Sequence, residues 1–321
     1  MSVFTHLHHD TIAALLAPLN LTLIEAIAAT HGIENSNYLL RCQAPNGDPV
    51  GRVLTVFEQR PASALPWFAR LLAQLEQHGL PVAAPIAVDG EVVLDIEGKK
   101  AFLVPWLSGE HVFDVSQQHC RAVGALLGRL HQCPLPTNSD AHRNSERQLL
   151  ATLATQLPDL PAAEMHAAEK VLRAWEQADG TRCLVHADLF RDNVLFEKAD
   201  AATRAAPSGL LDLYNACEDL PAYDVAVALN DWAVNADGSF NRPRHDALLE
   251  GYASVLPADA AERHLATLPL ALTIAALRFY LSRRISQQHA LLQPQATGTV
   301  SKDPAPFQRM FLLRYQDWIE R

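Results

Sequence analysis

The chain changes periodicity once, and that single change restricts its architecture more than any other feature. Up to Pro105 short β-branched and apolar runs alternate with turn dipeptides, whereas after Ser108-Gly109 apolar residues recur at helical spacing. NYLLRC (37–42) and VGRVLTVFE (50–58) flank APNGDP and predict a hairpin. Leu65, Phe68, Leu71, Leu72 and Leu75 predict a helix over 65–78, stopped at Gly79 with Pro81 beyond. IAVDGEVVLDIEGKKAFLVPWLSG reads as two further strands, with turns at Asp89-Gly90 and Glu97-Gly98 and an end at Pro105. Helices are predicted over 120–133, 145–157, 162–177 and several segments after 220. Strand character returns only in VLF (194–196) and GLLDL (209–213), with the Ala-rich 198–208 between them read as a solvated loop. The expected architecture is α+β, a small β-rich lobe over 1–105 joined to a larger helical lobe over 106–321.

Composition excludes several classes of function. Against 26 basic residues stand 36 acidic ones, and a formal charge of -10 repels a phosphate backbone, so nucleic acid is not an expected partner. The opening MSVFTHLHHD lacks the basic and apolar regions of a secretory signal, which predicts a cytoplasmic address. Cys42, Cys120, Cys133, Cys183 and Cys217 are widely spread without a C-x-x-C pair, as expected of buried thiols rather than disulfides or zinc ligands. The stretch LATLPLALTIAAL from Leu265 runs into Arg278 and is short for a membrane span, so a buried core helix is expected and no membrane segment.

Chemistry concentrates in VHADLFRDNVLF (185–196) and the later Asp212. If VLF and GLLDL pair antiparallel, Asn193 and Asp212 become neighbours on strands about 4.8 Å apart. Two hard oxygen donors so placed suit Mg²⁺, and Asp188 on the preceding loop can face the same opening. Phosphoryl transfer asks for this set: a carboxylate for the attacking hydroxyl's proton, and metal ligands to fix the phosphates. His186-Ala-Asp188-Leu-Phe-Arg-Asp-Asn193 matches the kinase catalytic-loop pattern H-x-D-L-x-x-x-N, with Asp212 where the later metal-binding aspartate belongs. An isolated H-x-D is also a common turn or helix cap. Asp212 argues against that reading, because an aspartate inside an apolar strand is costly to bury unless paired or metal-bound. Arg191 and Asp192 read as solvated or loop-stabilising residues.

The motif V-H-A-D-L-x-x-x-N-V-L-F followed by L-L-D-L resembles the aminoglycoside phosphotransferase and choline kinase family, whose catalytic loop carries a small residue between histidine and aspartate. GIENSNYLL, VLTVFE, GLPVAAPI, DLYNACEDLPAYDVAVALNDW, ALRFYLSR and SKDPAPF are most similar to its branch that phosphorylates L-homoserine. The resemblance covers most of the chain. It implies a bilobal protein-kinase-like fold and an ATP- and Mg²⁺-dependent transfer to a small hydroxyl-bearing acceptor. Homoserine comes first, with choline, methylthioribose or an aminoglycoside as alternatives. By the same resemblance Asp188 is the catalytic base, Asn193 and Asp212 hold Mg²⁺, and His186 braces the loop. Asn35, Ser36 and Asn37 would lie against the phosphates, and Pro105, Trp106 and Leu107 would form the adenine-binding hinge. One departure stands out: the strand lysine of ordinary kinases is replaced by Thr55 in VGRVLTVFE. Arg52, Arg60, Lys99 or Lys100 would have to supply its charge, unless the metals and the 35–37 loop suffice.

An amino-acid acceptor needs a carboxylate for its ammonium and an arginine for its carboxylate. Asp231 in LNDW resembles the acidic residue of choline kinases, with Glu218 as a second candidate for the ammonium. Arg278, Arg283 and Arg284 are candidates for the carboxylate, although at about 100° per residue Arg278 and Arg283 point some 140° apart. Tyr214, Tyr223 and Trp232 either cage a quaternary ammonium or fill the core. Two rival readings remain: a metal-dependent phosphohydrolase using His186, Asp188 and Asp212, and a kinase-like module that holds nucleotide without transfer. No oligomeric state follows.

Overall fold

A computed structural model describes residues 5–29, 35–137, 145–155, 160–198, 205–292 and 302–320. These fall into two compact units, one taking the described residues up to Leu107 and the other those from Ser108 onward.

The first unit comprises α1 (His9–Leu16), β1 (Thr22–Ala28), β2 (Asn35–Gln43), β3 (Pro49–Phe57), α2 (Leu65–Gln77), β4 (Leu94–Ile96) and β5 (Lys99–Pro105). Its five strands lie in the order β1-β2-β3-β5-β4, each antiparallel to its neighbours. The predicted hairpin is β2–β3, turned at Gly47, whose φ of +89° suits the residue without a Cβ. Strand alternation sorts the side chains between faces. Tyr38, Leu40, Cys42, Leu54, Val56, Ala101 and Leu103 share a core with Ile12 and Leu16 of α1. Thr55 lies on the other face with its cross-strand partners Asn37 and Phe102. Neither α1 nor β1 is expected from periodicity; α1 spans only 8 residues.

The second unit holds α3 (Gln117–Leu130), α4 (Ser145–Thr155), α5 (Ala162–Gln177), β6 (Cys183–Val185), β7 (Val194–Phe196), β8 (Pro207–Leu210), β9 (Cys217–Asp219), α6 (Pro221–Trp232), α7 (Arg242–Ser254), α8 (Ala258–Leu265), α9 (Leu268–Leu292) and α10 (Ala305–Ile319). β6 pairs with β9 and β7 with β8, both antiparallel. Helix α6 is buried around almost its whole circumference, which its run PAYDVAVALNDW permits by having few charges. α3 and α7 approach so closely that a Cβ on Gly251 would run into the Arg121 carbonyl, and one on Gly124 into the Leu248 carbonyl. Buried Ala271, Leu272, Ile274, Ala275, Ala276 and Leu277 make α9 the core helix expected there. Among the described residues no single helix is long and apolar enough to cross a membrane; only α8 with the first part of α9, bent by 52° between them, has the length and composition together.

Two expectations need correction. Strand β8 ends at Leu210, so Asp212 lies beyond it, exposed and in the left-handed region at φ 54°, ψ 50°. The burial argument for Asp212 therefore lapses, and its placement next to Asn193 rests on register. β6 and β9, three residues each, are strands where none is expected. Residues 32–34 of the GIENSNYLL segment, 199–204 of the Ala-rich loop, and Ser301 lie outside the described residues.

Candidate active site

The loop between β6 and β7 carries His186, Asp188, Arg191 and Asn193. His186 is fully buried, and its two nitrogens have distinct tasks. Nδ1 accepts the Asp188 N–H at 3.3 Å, so Nε2 carries the proton and donates to the Leu211 carbonyl at 2.8 Å. Burial pushes its pKa below the ordinary histidine value, with the Asp224 charge opposing, which keeps the ring neutral. A ring with both nitrogens so engaged has no lone pair for a metal, which removes the ligand set of the phosphohydrolase reading. Ala187 next to it sits at φ 68°, a backbone region unfavourable to L residues.

Helix α6 compensates for that conformation. Asp224, itself fully buried, accepts the N–H groups of His186 at 2.7 Å and Ala187 at 2.9 Å, and His131 Nε2 lies 3.0 Å from the same carboxylate. Burial opposes its ionisation, but the hydrogen bond and charge of His131, with His186, outweigh burial and hold its pKa below the usual carboxylate range. The network runs on through Tyr252, 2.8 Å from His131 Nδ1 and 2.6 Å from His264 Nδ1. A lone Asp in a helical run gave no signal of this task; only its buried position between two loop amides reveals it.

Asp188 is half-buried, open to solvent on part of its surface. The Asn193 Nδ2 donates to the Asp188 carbonyl at 2.8 Å, so its Oδ1 is the atom left to act as ligand. Val194 pairs with Leu210, and the Leu211 N–H donates to the Asn193 carbonyl at 2.9 Å, which brings Asp212 one residue past Asn193's backbone partner. An amide oxygen and a carboxylate are hard donors suited to Mg²⁺. Among the described residues no three His, Cys, Asp or Glu side chains gather as a metal site. A cation held here would thus need oxygens from a ligand, as Mg²⁺ takes from phosphates. Asn215, which no sequence motif marks, directs Nδ2 at Asp188 Oδ2 from 3.4 Å.

In the first unit, Asn37 Oδ1 accepts from the Thr55 hydroxyl at 2.8 Å. Asn35 lies on the same face by alternation and is buried. Ser36 points the other way. Its hydroxyl is fully buried, bonded to Glu58 and to the Thr5 N–H, so this side chain is turned away from Asn35 and Asn37, with which it is expected against the phosphates. Lys99 shares that opposite face and pairs with Glu58 and with Thr5, whose hydroxyl is at 2.7 Å. Lys100 shares the face of Phe102 and lies 2.7 Å from Asp95, while Arg41, on the same face by alternation, pairs with Glu25 at 2.9 Å. Pro105 closes β5 opposite Arg52, Trp106 is 38% exposed and so not core, and Leu107 is half-buried.

The acceptor candidates separate. Both oxygens of Asp231 accept from Arg191, so the expected ammonium site is already filled by a guanidinium. Tyr223 and Trp232 are fully buried; Trp232 donates Nε1–H to the Leu189 carbonyl at 3.1 Å, and neither belongs to a cage. Tyr214 is half-buried in the turn after Asp212. Arg278 is buried against the Phe279 ring, 4.2 Å from its centroid. Arg283 lies half-buried over Phe307 at 4.3 Å and donates to the Asp303 carbonyl at 3.2 Å. Burial lowers its pKa while the charges of Asp231, Asp303, Asp188 and Asp192 raise it, so this arginine lies within electrostatic reach of Asp188.

Comparison with known proteins identifies the family. The chain is 39% identical over 318 residues to the homoserine kinase of Pseudomonas aeruginosa (strain UCBPP-PA14), covering 96% of this chain and 95% of that one. It is 35% identical over 319 residues to the homoserine kinase of Methylobacillus glycogenes, covering 97% and 94%. Among solved structures it is similar to amicoumacin kinase hAmiN, in complex with AMP-PNP, Ca²⁺ and Ami, with TM-score 0.67, 18% identity and coverage of 98% and 96%. A Plasmodium vivax ethanolamine kinase is similar with TM-score 0.60, 12% identity and coverage of 92% and 82%. At such identities these two likenesses speak for the protein-kinase-like fold alone. The profile of the phosphotransferase enzyme family matches residues 25–258. On that match and the two homoserine kinases, the chain belongs to the phosphotransferase enzyme family.

Proposed function

We propose that the chain is an ATP- and Mg²⁺-dependent kinase that phosphorylates the hydroxyl of L-homoserine, in threonine biosynthesis and in the cytoplasm. The observation that carries this reading is the near-full-length identity to proteins named homoserine kinase, joined to a loop that has Asp188 at the base position.

In this reaction the acceptor hydroxyl attacks the γ-phosphorus in line. A new P–O bond forms as the bond to the β,γ-bridging oxygen breaks, ADP leaves, and the hydroxyl proton passes to the Asp188 carboxylate. His186 keeps the Asp188 amide oriented and Asn215 restrains its carboxylate. Asn193 and Asp212 would hold Mg²⁺, which when bound neutralises charge on the phosphate oxygens. Asn35 and Asn37 would face the phosphates, and Pro105, Trp106 and Leu107 the adenine. For the acceptor carboxylate Arg283 is favoured over Arg278, because it lies in the field of Asp188 while Arg278 is buried. Tyr214, just after Asp212, is the aromatic residue left to line the acceptor site.

A coupled assay with ATP and homoserine, choline, methylthioribose or an aminoglycoside tests the proposal, with phosphorus NMR to identify the product. O-phosphohomoserine should be the preferred product. Turnover of another acceptor with homoserine inert would sink it, as would ATP hydrolysis independent of any acceptor.

A further inference from the structure

Helix α6 grips the catalytic loop at three places along one side. Asp224 takes the amides of His186 and Ala187, and Trp232 caps the Leu189 carbonyl. Asp231, two helical turns after Asp224, takes Arg191 in a fork. Its Oδ2 accepts the Arg191 backbone N–H at 2.8 Å and Nε at 3.1 Å, while Oδ1 accepts Nη2 at 3.0 Å. The remaining Nη1 donates to the Phe113 carbonyl at 3.3 Å. With side chains 14% and 32% exposed, the pair is sheltered enough for a two-pronged contact to matter.

Position gives this contact its meaning. Arg191 lies between Asp188 and Asn193, so the fork fixes the middle of the segment that carries the base and a ligand for the phosphate-bound cation. Asp231 is also in the field of Arg283. A substrate ammonium would have to displace a guanidinium bonded to both carboxylate oxygens, in a place where two cations already offset the charge.

We propose that Arg191 and Asp231 are a pair of positioning residues that set the catalytic loop, and that Asp231 does not bind the acceptor's ammonium. The proposal rests on the kinase reading of Asp188 and Asn193. It deepens that reading by separating the residues that orient the loop from those that touch the acceptor.

The experiment compares Arg191→Ala, Arg191→Lys, Asp231→Asn and the Arg191→Ala/Asp231→Asn double variant, by steady-state kinetics with homoserine and by hydrogen exchange of the 186–193 backbone in the full chain. Arg191→Ala and Asp231→Asn should each lower kcat by about 10- to 100-fold, as small misplacements of a reacting group do. KM for homoserine should stay within about twofold, and the double variant should lose no more than the worse single one. Exchange should quicken in both single variants. Arg191→Lys, which keeps the charge without the fork, should fall between wild type and Arg191→Ala. A raised homoserine KM with intact kcat in Asp231→Asn, beside a silent Arg191→Ala, would overturn the pair and restore the ammonium site. Multiplying losses in the double variant, or unchanged exchange, would overturn it as well. Wild-type protein inert towards homoserine would instead strike the proposed function, and the exchange comparison would still judge the pair.

Discussion

His186 ties the loop that precedes Asp188 to the strand end that precedes Asp212: its Nε2–H donates to the Leu211 carbonyl at 2.8 Å while Nδ1 accepts the Asp188 amide. One neutral ring thus spans the candidate base and a candidate metal ligand.

That neutrality makes stability depend on pH. Burial lowers the His186 pKa in the folded chain, so as pH falls through about 6.5 the unfolded chain takes up a proton that the folded one refuses. Stability should fall towards acid by up to about 1.4 kcal/mol per pH unit from this residue. Urea unfolding at pH 5.5 and 7.5 checks it: His186→Asn should shrink the difference, leaving the same-signed contributions of His119 and His264, whose pKa values burial also lowers. An undiminished difference would exclude His186 as its source. Asp224 acts at lower pH. Its depressed pKa gives stability that is complete above the ordinary carboxylate range and lost as pH falls through the folded value.

Asp188→Ala should reduce kcat by about 10²- to 10⁴-fold, the usual worth of a positioned general base, while nucleotide affinity changes little. Single-turnover kinetics together with calorimetric titration of ADP separates the two. Full activity in the variant would remove Asp188 from the base position.

Asp212→Asn and Asn193→Ala should each raise the Mg²⁺ concentration for half-maximal rate by about 10- to 100-fold, at least the effect of disturbing a metal's outer shell. A chelator should abolish turnover in wild type and excess Mg²⁺ should restore it. Magnesium dependence identical to wild type in both variants would show that the cation binds elsewhere.

Gly251→Ala should destabilise the fold by about 1–3 kcal/mol or more through overpacking, since the added methyl meets the Arg121 backbone carbonyl on α3 rather than a yielding side chain. The urea midpoint measures this, and an unshifted midpoint would mean that α3 and α7 can part without loss.

Much of the scaffold is legible in the sequence, and the rest is hidden for identifiable reasons. Asn46-Gly47 betrays the β2–β3 hairpin because a turn residue with positive φ is a local demand met by a local choice. β6 and β9 are too short for alternation to register, and their pairing of Cys183 with Asp219 is non-local. Asp212 looked like a strand residue because a left-handed turn in an L residue has no compositional mark. Asp188 and Asn193 stand out as candidates because their spacing along one loop is itself the signal, and the loop does bring them together. The Arg191–Asp231 fork joins residues 40 positions apart and leaves no mark in the sequence, where Asp231 resembles the acidic residue of choline kinases. Alternation turns the Ser36 hydroxyl away from Asn35 and Asn37 and towards Glu58.

Thr55 has a practical consequence. Its hydroxyl is bonded to Asn37, and β3, where the resemblance expects a lysine, carries none. An acylating nucleotide reagent directed at that position should leave residue 55 unlabelled, whatever it does at Lys99 or Lys100. Inhibitor scaffolds anchored on a lysine there would lose their main polar contact for the same reason.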